Sequence, residues 1–363
     1  MSHAQQDVVV HLLFAFDVGY EIDLERGRGL LPGEAPGLIR RRRTPESMRY
    51  RPAPLRVSVD AGGLTLPGDL PQVGPARAEL ALFDFGAVSL HLQHRIRGTL
   101  EELVELGDRL AESAPLVAAA RLALAPWVER MRPVVTGFDW SELSEEYVVF
   151  EIGEVEPGWL SRSVDQVARL VRLEAERLCV AEVEEATRLH LSYGPGDLIV
   201  VDWPAALVAD RDGADILQVI EFANVQLLEF RLIDDRLDDR LEAAYRRMRP
   251  DRRRGALDWL RDSGAAAALR EVRELELEAT SVIERVDNAL KLIGDQYLSR
   301  VYALASTRFH LGGWEQSVRR KLETVGDVFD LLTQQASVRR LEFLEVVVIV
   351  LIAMEIVLAL VRH

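Results

Sequence analysis

From Leu341 to Val361 the chain reads LEFLEVVVIVLIAMEIVLALV. A helix of about 21 residues rises 1.5 Å per residue, which suffices to cross a hydrocarbon core of roughly 30 Å. The sequence therefore predicts a membrane anchor over 341–361. Glu345 lies near one end of the run and Glu355 well inside it. A carboxylate at that depth costs roughly 2.5 to 3.5 kcal/mol and asks for a partner helix or another copy of the chain. Arg339 and Arg340 precede the run and only Arg362 follows it, which by the positive-inside rule leaves the bulk of the chain on the cytoplasmic side. The expectation is a single-pass, tail-anchored protein of a bacterial inner membrane, with the lipid bilayer as its first partner.

The remaining 340 or so residues have room for a head domain and a helical extension. A net charge of −15 argues against broad nucleic-acid binding. Basic residues are almost all arginine, with lysine only at 291 and 321. Two clusters stand out as anion contacts: Arg40, Arg41, Arg42 and Arg43, and the run containing Arg252, Arg253 and Arg254. Cys179 is the only cysteine, so no intramolecular disulfide can form.

The first 212 residues read as an α+β head. Val8–Val18 is apolar without a helical stripe, as in a strand covered on both faces. A Gly/Pro loop follows from Glu25. Leu55, Val57 and Val59 alternate as a strand, and 79–93 reads as one long strand interrupted at Gly86. Thr99 with Glu102 forms a capping box that opens a helix, a second helix spans 114–131 with Pro126 inside it, and 147–152 returns as a strand. Residues 163–186 carry a helical stripe, and Leu198–Val201 is a further buried strand. His91 and His94 are spaced as a metal pair might be, yet three residues along a strand put them on opposite faces. No cofactor, metal or catalytic set is expected.

Residues 213–340 read as a helical stalk. Ile220, Leu227 and Phe230 belong to a seam of alternating three- and four-residue steps in which Asp234 holds a core position. Val318, Leu322, Val325, Phe329 and Leu332 form a later stripe leading into the apolar run. Such helices pair as a coiled-coil hairpin within one chain or between chains, and a homo-oligomer is expected.

Two stretches and the C-terminus carry a family resemblance. Phe83–Leu90 (FDFGAVSL), Asn224–Asp235 (NVQLLEFRLIDD) and the ending Arg339-Arg340-Leu341-Glu342, apolar run, Glu355-Ile356 resemble the "required for meiotic nuclear division" family. The resemblance implies a membrane-anchored organiser, in mitochondria one that supports translation, with no agreed catalytic site; the Arg- and Ser-rich transit peptide of the mitochondrial form is missing here. Three functions follow as expectations. The first is a self-associating scaffold or tether with further protein partners. The second is a ribosome or RNA tether acting through the arginine clusters. The third is an enzyme with an unrecognised site in the head, against which stands the lack of any nucleophile, metal or phosphate-loop motif.

Overall fold

The structure is a computed structural model that describes residues 5–31, 53–60, 63–68, 70–112, 114–248, 277, 279–281, 283–284, 296–327, 348–349, 351–354 and 356. The chain divides into two compact units, Met1–Leu232 with Ser281–Glu315, and Ile233–Thr280 with Gln316–His363.

The first unit is built on one long strand. β1 (Gln6–Asp17) is rich in Val, Leu and Phe and sits at the middle of an eight-stranded sheet. It pairs antiparallel with β5 (Ala87–Gly98) on one side and with β7 (Ser144–Ile152) on the other. Outside β5 lie β4 (Arg77–Leu82) and β3 (Leu55–Val59). Beyond β7 come β10 (Ala205–Ala209), parallel to it, then β9 (Leu198–Val201) and β8 (His190–Leu191). A two-stranded ribbon, β2 (Glu21–Ile22) with β6 (Val135–Thr136), stands apart.

Pairing register fixes which residues share a face. On one face Val8, Val10, Leu12, Phe14 and Phe16 of β1 join Leu90 and Leu92 of β5 and Phe150 of β7 in the main apolar core. Helices α2 (Leu100–Ala111), α3 (Ala114–Met131), α4 (Trp159–Arg172) and α5 (Val180–Arg188) supply Leu103, Leu124, Leu170 and Ala186 to it. The opposite face carries His11, Ser89, His91, Glu145, Tyr147 and Glu151. It is covered by α6 (Ala214–Met248), whose Glu221 and Asn224 reach back to it, and by the segment after α7 (Gln296–Arg308), whose Phe309 meets Tyr147 edge-on. A short α1 (Leu24–Leu30) occupies part of what the Gly/Pro composition marks as loop.

Mixed strands and helices followed by helices make the α+β class. Three element boundaries differ from expectation. The 79–93 segment is not one strand but the β4–β5 hairpin. Gly86, at φ +99°, forms its turn, and a Cβ there would lie 1.7 Å from the Gly19 carbonyl oxygen. The 163–186 stripe is two helices, because Leu173 at φ 56° takes the left-handed conformation and its N–H closes α4 on Arg169 and Leu170. β10, directly after Asp202-Trp203-Pro204, went unread.

The membrane anchor is withdrawn. Among the described residues no helix is long and apolar enough to cross a bilayer, which overturns the single-pass, tail-anchored reading and its inner-membrane location. Glu345, Glu355, Arg339 and Arg340 lie outside the described residues, as do Phe329, Leu332 and both arginine clusters, Arg40–Arg43 and Arg252–Arg254. A coiled coil is not shown. Ile220, Leu227 and Phe230 are buried within the first unit, on the helix that covers the sheet. In the second unit Val318 and Val325 are buried and Leu322 is half-buried. Asp234 accepts from Ser317 Oγ at 3.0 Å and lies 2.9 Å from Lys321 Nζ, which also pairs with Asp238 at 2.6 Å. The polar residue in the seam thus meets a cation of its own chain.

Candidate functional site

A sheet face under a helix is ordinarily apolar; this one holds a row of ionisable groups. His11 of β1 stands beside two diagonal neighbours, since it faces Gln93 and Val149 across the ladders while His91 faces Leu13 and Glu151 faces Val9. Diagonal neighbours on one face are within reach of long side chains. His11 Nδ1 lies 2.8 Å from His91 Nε2, and His11 Nε2 lies 2.9 Å from Glu151 Oε2. Both imidazoles are buried, and the carboxylate, one-fifth exposed, is the member nearest solvent.

A second buried set adjoins it. Arg56 of β3 donates to Glu79 Oε1 at 2.7 Å and to Glu221 Oε2 at 2.6 Å, and Ser89 Oγ donates to the other oxygen of Glu221 at 2.7 Å. Glu79 and Glu221 are almost wholly buried, so the guanidinium between them is what makes their charge tolerable. This set ties α6 to the sheet.

His11 and His91 open onto a cleft of about 330 Å³ lined also by Asp7, Gln93, Arg95 and Glu151, with Asp210 to Ala214 at the start of α6. Gly213 sits close over the carboxylate, for a Cβ there would lie 2.8 Å from Glu151 Oε1. Burial holds the His91 imidazole well below the ordinary histidine range, and His11 and Arg56 push the same way. Burial raises Asp210 above the ordinary carboxylate range.

The hydrogen bonds constrain the tautomers. When His11 donates from Nε2 to Glu151 and accepts at Nδ1, His91 donates from Nε2 and presents a lone pair at Nδ1. Among the described residues His91 Nδ1 has no hydrogen-bond partner, and neither does Gln93 Oε1. The row is able to carry a proton from His91 to the carboxylate at the solvent edge. The described residues gather no group of three or more His, Cys, Asp or Glu that could hold a metal ion. His94 points to the core face, buried with both ring nitrogens unpartnered among the described residues, so the two histidines of the HxxH spacing do stand apart.

Residues 7–215 match the family described as "Uncharacterized protein MJ0711, N-terminal domain". The chain belongs to this family. The match takes in β1 to β10 and, with them, His11, His91, Gln93 and Glu151. The "Uncharacterized protein MJ0711" of Methanocaldococcus jannaschii is 25% identical over 201 residues, 54% of this chain and 59% of that protein. The chain therefore spans less than two thirds of that relative's length. No solved structure matches. The resemblance to the "required for meiotic nuclear division" family is overturned by the MJ0711 match.

None of the anchor, stalk or arginine-cluster candidates lies in the cleft; His91, weighed in the sequence only as half of a metal spacing, does. His11 interrupts an otherwise apolar strand, where an isolated histidine reads as a packed residue and not as a base. A usable signal was present: an ionisable residue inside a strand covered on both faces needs a buried partner.

Proposed function

We propose that the N-terminal domain is a receptor for a small ligand rich in hydrogen-bond donors, of which a primary ammonium compound is the simplest, held in the cleft beside His91. The observation that carries this reading is a pair of buried polar atoms lining the cleft, His91 Nδ1 and Gln93 Oε1, without partners among the described residues and both acceptors when His91 donates from Nε2. A buried polar atom left unsatisfied costs about 1 to 3 kcal/mol, a cost that a donor in the cleft removes. The sign of charge agrees, since the lining carries Asp7, Glu151, Asp210 and Asp212 against Arg95 and Arg211, with Asp7 paired to Arg97 outside it.

Calorimetric titration of the full chain with putrescine and, separately, succinate tests the reading. The diamine binds and the dianion does not, and Gln93→Leu weakens the diamine at least tenfold while leaving the thermal unfolding profile in place. Preference for succinate, or an unchanged affinity in the variant, overturns it.

One observation favours a second role alongside the first. Val348, Ile349, Leu351, Ile352, Met354 and Ile356 are helical and each more than half exposed, and large apolar side chains exposed so close together in sequence support self-association. The scaffold reading rests on this segment. Light scattering of the full chain beside Ile349→Glu/Ile352→Glu tests it: a shift to monomer in the variant supports self-association, and a monomeric parent chain rules it out.

A further inference from the structure

A cavity of about 750 Å³ in the first unit lies elsewhere on the sheet and belongs to neither of these roles. Its walls are mainly apolar, with Leu116, Val117, Leu173, Trp203 and Phe309 among them. Into this apolar surround come Glu145 and Arg231, which form an ion pair. Glu145 is buried while Arg231 is about one-third exposed. A volume in the range of 300–1,000 Å³, apolar walls and a few convergent polar groups are the attributes of small-molecule sites.

We propose that this cavity is a second ligand site, taking a small amphipathic carboxylate whose head replaces Glu145 on the Arg231 guanidinium and whose apolar body lies along Leu116, Val117, Trp203 and Phe309. The carboxyl of Glu145 already occupies the position such a head would take, so the chain holds its own substitute for the ligand. A planar guanidinium suits carboxylate recognition, and the apolar walls select against a merely small anion.

Exchange requires that Glu145 let go. Burial pushes its carboxyl up to about 7, with Glu146 adding to the effect and Arg231 opposing it, so a proton is taken up near neutrality and the guanidinium is released. The other charged groups lining the cavity are Arg121, Glu142, Glu146 and Arg172. Arg121 donates to the Trp140 carbonyl, stacks on the Trp140 ring and lies 3.8 Å from the exposed Glu142, and Arg172 pairs with Asp202 and Glu182. That leaves Arg231 as the cation whose lining partner is a buried carboxylate, Glu145, and not one already in solvent. Affinity for an anionic head therefore rises as pH falls through 7.

Octanoate, octylamine and octanol, titrated calorimetrically into the full chain at pH 6 and pH 8, decide the matter. Octanoate binds saturably and at least fivefold more tightly at pH 6, whereas the amine and the alcohol bind at least tenfold more weakly. Glu145→Gln gives the pH 6 affinity at both pH values, and Arg231→Gln loses at least tenfold. Val117→Trp, which fills the cavity and leaves every charge in place, abolishes binding while retaining the circular dichroism spectrum of the parent. Octanol binding as tightly as octanoate, insensitivity to Arg231→Gln or to Val117→Trp, or tighter binding at pH 8 overturns the proposal. Putrescine binding at the His91 cleft is unaffected by Val117→Trp, so the two sites fail or stand separately.

Discussion

At the scale of single residues, two buried ionisable groups give stability opposite dependences on pH. Glu145 binds its proton more tightly folded than unfolded, at about 7 against an ordinary 4.5. Its contribution is complete below pH 4.5 and is lost as pH rises through 7, on the order of 3 kcal/mol. His91 behaves in the reverse sense, because burial depresses its proton affinity. The unfolded chain takes up a proton there below about 6.5, so stability is lost as pH falls past that value. Urea unfolding of Glu145→Gln from pH 5 to 8 is expected to show the decline above pH 5 removed and the His91 rise exposed. A second expectation concerns Arg56, which sits between Glu79 and Glu221. Arg56→Met leaves two buried carboxylates without their cation and costs about 3 to 5 kcal/mol by urea denaturation. Neither group was legible as special in the sequence. Arg56 sits in an alternating strand whose polar positions read as solvent-facing, and only the helix from residue 214 onward buries that face.

Among the elements, what was legible followed local chemistry, and what was missed followed contacts distant in sequence. The capping box at Thr99 could be read directly, and it is present: Thr99 Oγ1 accepts from the Glu102 N–H while Glu102 accepts from the Thr99 N–H at 2.7 Å. Thr99→Ala is expected to cost about 1 kcal/mol, measured as a shift of the urea midpoint, because it removes the partner of one orphan donor in the first turn of α2. The break after α4 had no such mark, since a leucine at positive φ is held there by its burial rather than by preference. Tertiary ties of the same kind fix α7. Arg308 donates to the Val201 carbonyl at 3.2 Å and the Glu185 carbonyl at 2.8 Å, and pairs with Asp202 at 3.2 Å. Arg308→Gln breaks the pairing and strips Asp202 of one of its two cations. Hydrogen exchange is expected to quicken in α5, β9 and α7 while α2 keeps its protection.

For the molecule as a whole, the family match and the folding unit end in different places. The match closes at residue 215, one residue into α6, yet the sheet is covered on its second face by residues from beyond that point. Glu221 anchors to Arg56 and Ser89, Asn224 to the Glu145 carbonyl, Phe222 packs on Phe83, and Phe309 on Tyr147. A fragment of residues 1–215 would present Leu13, Ala15, Tyr147, Val149, Ala206 and Val208 to water, together with Glu79 and the buried imidazoles. These side chains are now buried, and their exposure over a broad sheet is incompatible with a stable monomer. Expression of 1–215 is therefore expected to give aggregated or dye-binding material with poor amide dispersion, whereas 1–315, which restores α6 and α7, gives a cooperative unfolding transition. A well-dispersed spectrum from the shorter fragment would mean that the polar row at His11 and His91 tolerates solvent on its own. In that case α6 would be a removable cover over the cleft, and not a layer of the fold.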